Sequence, residues 1–554
     1  MDLYRTALAI ALSFIILLGY QYFFAPPVPE PQAPAATVTT EQTTAATAQT
    51  SANEASGVPA GAPAAAAIAV DPSARDITVD TPLYTAVISE QGGTIKSFLL
   101  KQYRTGIKKD SGPMELAPAS NPAARPLLFS LDNGTTANMP LYKAAGSQTH
   151  LSTEQGQTEL VMTATMPEGI QIVRTMRFSN DSYLIPVQYS LKNTTTRPIQ
   201  VSPALIWNSA PFPHINPPSS YLFTGPAAYV NNELVEIKGK ELGKGPVMRQ
   251  GTVSWAGYTD SYFITTVMPE SEAPVTLTVR GSDAASRSTL SQGLETLQPD
   301  SSKSYDYTLY MGPKKLTILQ SVGHNLAHAV DYGWLDLIAK PMLWLLNFFY
   351  TFTKNYGVAI ILLTIVIKLA FWPITQKGMK SMKNMQKLQP KIAKLREKFK
   401  DDPAKMNQEM MGLYKTYKIN PLGGCLPMLI QIPFFFALYQ VLMQAIELRH
   451  APFMLWINDL SMPDRLWLGF DIPYLHGLPV LTLLMGASMY LQQKMTPTVA
   501  DPTQARIMQM LPIVFTFMFI NFASGLVLYW FVNNLLSMLQ QYLINRSSKS
   551  PSKA

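Results

Sequence analysis

Cysteine is almost absent: the chain of 554 residues has one, Cys425. No intrachain disulfide can form, so pairing says nothing about redox compartment. One thiol is too few for a cysteine-rich zinc site, and the six histidines show no metal-ligand spacing. No metal or cofactor is expected. Cys425 lies in an apolar stretch and reads as a small buried hydrophobe. Charge is scarce as well. Asp, Glu, Lys and Arg make up 14% of the chain, against roughly 25% in a typical soluble protein. Large surfaces must therefore never face water. The balance that remains is basic, +8. Nucleic acid, an anionic membrane or an acidic partner would each suit it, and where the charge sits decides among them.

What is present changes texture four times. Residues Ala7 to Phe24 are mostly apolar and follow Arg5. Tyr20, Tyr22, Phe23 and Phe24 fill the place where small residues should precede a cleavage site. An uncleaved anchor, residues 1–25, is favoured over a signal peptide, and its terminal aromatics suit a membrane interface. Residues 26–74 are rich in Pro, Ala and Thr and cannot bury enough surface to offset their ordering entropy. They read as a disordered linker. Residues 75–330 alternate apolar and polar, as in Leu160–Met166 and Tyr183–Leu191, with turn clusters such as Asp132-Asn-Gly134 between the runs. That pattern predicts a large all-β sandwich with a short helix near Leu316–Val330.

Residues 331–546 read as a helical membrane domain. An interfacial amphipathic helix is expected over 333–353, where Trp334, Trp344 and Phe348 mix with Asp336 and Lys340. Spans are expected at 356–375, 422–444, 478–493, 507–522 and 524–543. With the anchor they make six. The segment 376–421 between the first two holds twelve Lys and Arg against Glu397, Asp401, Asp402 and Glu409. It should be cytoplasmic. The connection 445–477 has only Arg449 and Arg465 against four acids, so it should be outside. The basic tail, 547–554, should be inside. Both termini then lie inside and the β domain outside. The fold class is thus a multi-domain membrane protein: an N-terminal anchor, an all-β sandwich outer domain, and a five-helix core with a cytoplasmic helical hairpin.

The basic segment is more than a charge run. Leu388, Ile392, Leu395 and Phe399 share one helix face, and Met406, Met410, Leu413 and Tyr417 share another. Asp402 can cap the second helix, with Pro403 at its first position. An antiparallel hairpin with its stripes together is expected, jointed at Gly378 and Gly423-Gly424. Lys391, Lys394 and Arg396 would lie on its outside, either as a topology signal or as a docking surface for lipid head groups or ribosomal RNA. Phe399 and Tyr417 belong to the stripes, so no specific nucleic-acid sequence is read. Methionine is abundant: 18 of 27 lie between Met342 and Met538. Met379, Met382 and Met385, three apart, suit either ordinary packing or a surface adaptable to many apolar segments.

Lys368 stands out. A lysine deep in an apolar span costs roughly 2.5–3.5 kcal/mol, and this one is about eight residues, or ~12 Å, from the cytoplasmic end. Within the spans there is no Asp or Glu to pair with it, which argues for a hydrated cavity. Thr364 lies one turn away. Tyr529, Asn533, Ser537 and Gln540 line one side of the last span, with Trp530, Asn534 and Gln541 flanking them, and Gln431 and Gln440 add polarity from the second. Such groups serve either as interhelical hydrogen bonds or as the lining of a wet groove. Together with an unpaired lysine they favour the groove.

The stretches Asp331-Tyr-Gly-Trp334, Asn420–Pro433, Leu455-Trp-Ile-Asn-Asp-Leu-Ser461 and Gly525-Leu-Val-Leu-Tyr-Trp530 resemble the YidC/Oxa family of membrane insertases. The anchor and outer domain match its Gram-negative form, and Trp255–Phe263 adds weaker support. The resemblance implies a bacterial inner-membrane protein that inserts nascent membrane proteins without nucleotide hydrolysis. It implies a positively charged groove open to cytoplasm and lipid, with Lys368, Thr364, Gln431, Tyr529, Trp530 and Asn533 as candidate lining. The family often has Arg where Lys368 stands; the charge is kept but the bidentate fork is lost. The Sec translocon is an implied partner, membrane lipids are another, and the ribosome is a further candidate. The outer domain resembles sugar-mutarotase sandwiches in fold alone. Two alternatives stand beside this reading. A secondary transporter could use Lys368, although no paired repeats link the spans. A membrane-anchored carbohydrate enzyme could use acids such as Glu90, Asp181 and Asp260, although no spacing marks a catalytic pair.

Overall fold

The structure is a computed structural model. It describes residues 71–547, apart from 109, 118–123, 135–138, 155, 215–221, 400–401, 418–425, 473–474 and 496–501. The expected anchor, nearly all of the linker, the tail beyond Ser547, the Gly423-Gly424 joint and the start of the second span therefore lie outside the described residues. So does the side chain of Arg396. The described residues fall into two compact units. The smaller is built from residues 381–422, the larger from residues up to 380 and from 423 onward.

Within the larger unit, strands run from Asp76 to Pro313. The central sheet has nine strands, with Ser302–Pro313 between Phe263–Pro269 and Leu184–Asn193. All its pairings are antiparallel; Leu184 faces Tyr310, and Val187 faces Met176. Alternation in the sequence becomes alternation in burial: along Ile170–Ser179, every even-numbered residue is buried and no odd-numbered one is. Two five-stranded sheets pack on this one. Phe129 from one stacks on Tyr189 at 4.2 Å, and Tyr103 from the other meets Phe263 edge-on at 5.5 Å. Those aromatic contacts join the layers of the expected sandwich. The Asp132-Asn-Gly134 cluster turns through left-handed φ at Asn133 and Gly134.

The chain leaves the sheets through α1 (Leu316–Val322) and a 3-10 turn at Leu326–Ala329. The helical half follows: α2 (Asp336–Thr353), α3 (Tyr356–Lys398), α4 (Pro403–Thr416), α5 (Leu426–Gln444), α6 (Val480–Met495), α7 (Pro502–Phe519) and α8 (Ser524–Ser547). Among the described residues α3 alone is long and apolar enough by itself to cross a membrane, while α5 and α7 hold shorter apolar stretches. The expected joint at Gly378 is not a break: α3 runs through it without interruption. One helical glycine costs only about 1 kcal/mol, less than ending a helix that is hydrogen-bonded on both sides.

Arg449, just after α5, ties the helical half to the sheets. Its guanidinium donates to the Arg104 carbonyl at 2.6 Å and lies over the Phe263 ring at 5.3 Å. In the smaller unit, Leu388 and Ile392 are buried, Met406, Met410 and Leu413 half-buried, and Lys387, Lys391, Lys394, Lys398, Lys405 and Lys415 exposed. Asp402 caps α4 by accepting the Lys405 amide at 3.0 Å. Tyr417 departs from its expected place in the stripe. It is exposed, and Lys391 bonds to its hydroxyl and covers its ring.

Candidate functional site

Lys368 sits mid-way along the apolar part of α3 and is 6% exposed. Its Nζ donates to Ser537 Oγ at 2.6 Å and Asn533 Oδ1 at 3.4 Å, both on α8. Asn533 Oδ1 also accepts from Gln431 Nε2 on α5 at 3.4 Å, and the Tyr529 hydroxyl meets the Gln431 side chain. Helix α8 thus points two neutral polar groups at one cation, and Gln431 on α5 bonds one of the two. Among the described residues it meets no carboxylate. A buried ammonium is costly unless charge or water compensates it. Two neutral acceptors provide part of that compensation and leave the amine's third hydrogen over.

Not every expected residue joins this set. Thr364 is buried one turn away, but its hydroxyl donates to its own helix, at the Ile360 carbonyl, 2.7 Å. Trp530 faces elsewhere. Its ring packs against Phe435 at 5.1 Å and Phe519 at 5.8 Å, and its indole N–H is buried without a partner among the described residues. The side of α8 bearing Tyr529, Asn533 and Ser537 is offset from Trp530, so a neighbour in sequence is not a neighbour in the site. Met379 and Met382 are half-buried and Met385 is buried, so they present no fully exposed row. Lys394 is exposed.

Ser537 is the group that single residues pointed to least. It was one polar residue among several on α8; as Lys368's nearest partner it matters more than Thr364. Its signal was the i+4 spacing from Asn533, whose carbonyl accepts the Ser537 hydroxyl at 2.7 Å. A second polar layer lies further along. Gln540, fully buried, donates to Thr375 Oγ1 at 2.8 Å, and Asn534 donates to Ser488 Oγ at 3.0 Å. Helices α6 and α7 approach closely: a Cβ at Gly486 would lie 2.0 Å from Thr516 Oγ1.

The starts of α6 and α8 are tied down by the Leu455–Ser461 stretch and its neighbours. Asp459 Oδ1 accepts the amides of His450 and Ser461, and its carbonyl accepts the Ser524 hydroxyl at the start of α8. Asp464 caps α6, accepting Leu481 N–H at 2.5 Å and Thr482 N–H at 3.2 Å. Burial pushes the Asp464 carboxyl above its usual range, against those hydrogen bonds. In the sheets, Glu90 is engaged by Arg75 at 2.7 Å and by the Ala144 amide. Asp260 is engaged by His214 at 2.6 Å and by two backbone amides. Asp181 accepts from Ser179. Each of these acids is occupied locally, with different partners.

The sequence matches two family models end to end: the YidC periplasmic domain over residues 76–345 and the 60Kd inner membrane protein over 348–552. The membrane protein insertase YidC of Syntrophobacter fumaroxidans is 41% identical over 98% of this chain and 99% of its own length. The chain belongs to the YidC family of membrane protein insertases. The YidC insertase of Geobacter metallireducens is 40% identical, again over 98% of both chains. A crystal structure of an active YidC insertase covers 86% of this chain and 93% of its own, at 19% identity and a TM-score of 0.36. A putative aldose 1-epimerase from Escherichia coli K12 covers 43% of this chain at a TM-score of 0.31. Membership of the YidC family makes this a bacterial inner-membrane insertase with a periplasmic β domain, and its clients are nascent membrane proteins.

Proposed function

We propose that insertion runs through a hydrated, positively charged groove open to cytoplasm and lipid, with Lys368 as its charge and Ser537, Asn533, Gln431 and Tyr529 around it. The observation that carries this is a buried cation held only by neutral groups among the described residues. Water or an incoming acidic side chain completes its coordination. The apolar part of the client then leaves along exposed side chains such as Leu369, Leu483, Val514, Phe517 and Leu539. Those chains suit acyl chains or a client helix equally, since both are hydrocarbon. Both termini lie in the cytoplasm with six spans between them. The basic hairpin, Lys391 and Lys394 included, meets anionic lipid and the ribosome, and the Sec translocon hands on multi-span clients. Purified protein in liposomes should insert a small single-span client without nucleotide; failure with a folded preparation overturns the autonomous reading. Protease outside spheroplasts should digest the β domain and spare the Lys377–Lys418 segment. Its cleavage from outside overturns the topology.

A further inference from the structure

Between α5 and α6 the outer connection carries a small hairpin whose tip no described residue covers. Its neck is narrow and well held. Leu466 and Leu478 exchange backbone hydrogen bonds, each of 2.8 Å. Asp464, at the root, caps α6 and takes the Trp456 indole N–H at 2.5 Å. Arg465 donates to the Ile520 carbonyl at 2.8 Å and Asn521 Oδ1 at 2.9 Å, in the turn between α7 and α8. Gly477 has φ +155°, and a Cβ there would press on Arg465 and Leu466 at 3.1 Å. The hairpin is therefore fixed to the outer ends of three helices.

Beyond the neck the chemistry reverses. Trp467, Leu468 and Phe470 are 60%, 44% and 61% exposed, turned outward around Gly469 at φ +92°. None of the three packs on the hydrophobic core. The acid beside them, Asp471, is hydrogen-bonded to His476 at 3.0 Å. The exposed apolar surface does not stop at the neck. Phe517 and Met518 precede the Ile520–Asn521 turn that Arg465 holds, and Leu483 and Leu484 follow the start of α6; all four are exposed. The tip continues the lipid-facing surface of α6 and α7.

We infer that this hairpin is a membrane anchor: Trp467, Leu468 and Phe470 dip into the outer leaflet of the bilayer. The inference rests on reading α6 and α7 as spans. Its place supplies a reason for it: the neck is held at the first turn of α6, where Asp464 accepts the amides of Leu481 and Thr482, and the end of a span is where interfacial aromatic side chains settle. Trp467 has the interfacial chemistry required, an apolar ring with an N–H free for a head-group oxygen. The neck then transmits the tip's depth to α6, α7 and α8, which fixes how far below the outer surface Lys368 lies.

The test places nitroxide labels, one at a time, on the full-length protein in lipid nanodiscs in a Cys425→Ser background. Positions are Leu468→Cys at the tip, Phe517→Cys on α7 and Glu272→Cys on the β domain. Collision with oxygen, which concentrates in lipid, is compared with collision with a water-soluble nickel chelate. Oxygen should dominate at 468 as at 517, and the ratio should reverse at 272. If nickel dominates at 468 but oxygen at 517, the anchor is wrong and the spans stand. If nickel dominates at 517 too, the reading of α7 as a span fails and the anchor fails with it. Spin–spin broadening at 468 would show a second copy on the tip and also overturn the lipid assignment.

Discussion

Reversing the charge at position 368 is the sharpest perturbation. A client carboxylate about 6 Å from the Lys368 amine gains roughly 3 kcal/mol at an effective dielectric near 20, and under ~1 kcal/mol in bulk water. The structure favours the first figure, because the amine is 6% exposed and flanked by α3, α5 and α8. Lys368→Glu turns that attraction into repulsion of similar size. Even after screening, a difference of about 1.4 kcal/mol is tenfold. Lys368→Glu should thus insert an acidic-tailed client at least about tenfold less well than the same client with a neutral tail. Lys368→Arg should retain activity. Lys368→Leu should fall between, since Ser537, Asn533 and Gln431 still offer polar groups to water. The assay is insertion of one client, acidic or neutralised, into liposomes at matched insertase amounts. Equal insertion of both tails by Lys368→Glu would refute the electrostatic role and leave the lysine as a hydration or packing group.

Three further outcomes follow from the geometry. Gly486→Ala should destabilise the helical core by about 1–3 kcal/mol through overpacking, seen as a lower Tm in detergent, and Thr516→Ala should restore part of the loss by removing the Oγ1 that the new Cβ would strike. Gln540→Leu and Thr375→Val should each lower Tm, and the double variant should lose less than their sum, with a coupling of about 0.5–1 kcal/mol; strict additivity would show that the pair is not bonded. His450 is pushed down to about 4 from 6.5, first by burial and then by Arg449. Its folded value is depressed, so its contribution is full above about 6.5 and is lost as pH falls towards 4. His450→Asn, which tolerates the left-handed φ of 58° there, should raise Tm at pH 4.5 by the equivalent of about 1 kcal/mol after allowing for partial exposure, with no gain at pH 7.5.

Much of this molecule is written in local pattern. Period-two alternation marked the strands, because a sheet with one buried face sorts its side chains by polarity. Asp402-Pro403 marked the start of α4, because a cap is satisfied within a single turn. The twelve basic residues of 376–421 and the lone Lys368 needed no neighbours to be conspicuous. The tertiary structure decided what periodicity could not. Trp530 and Tyr529 are adjacent and both apolar enough for lipid, yet one enters an aromatic cluster and the other meets Gln431. Ser537, not Thr364, became the lysine's partner, because α8 rather than the next turn of α3 lies against it. Arg449 was one charge in a loop after α5 until it reached the Arg104 carbonyl at the edge of the sheets. In water, hydrophobicity tells a helix which face is inside. In a bilayer both faces are apolar, so the inward side is chosen by packing and by a few polar contacts that only the assembled helices bring within reach.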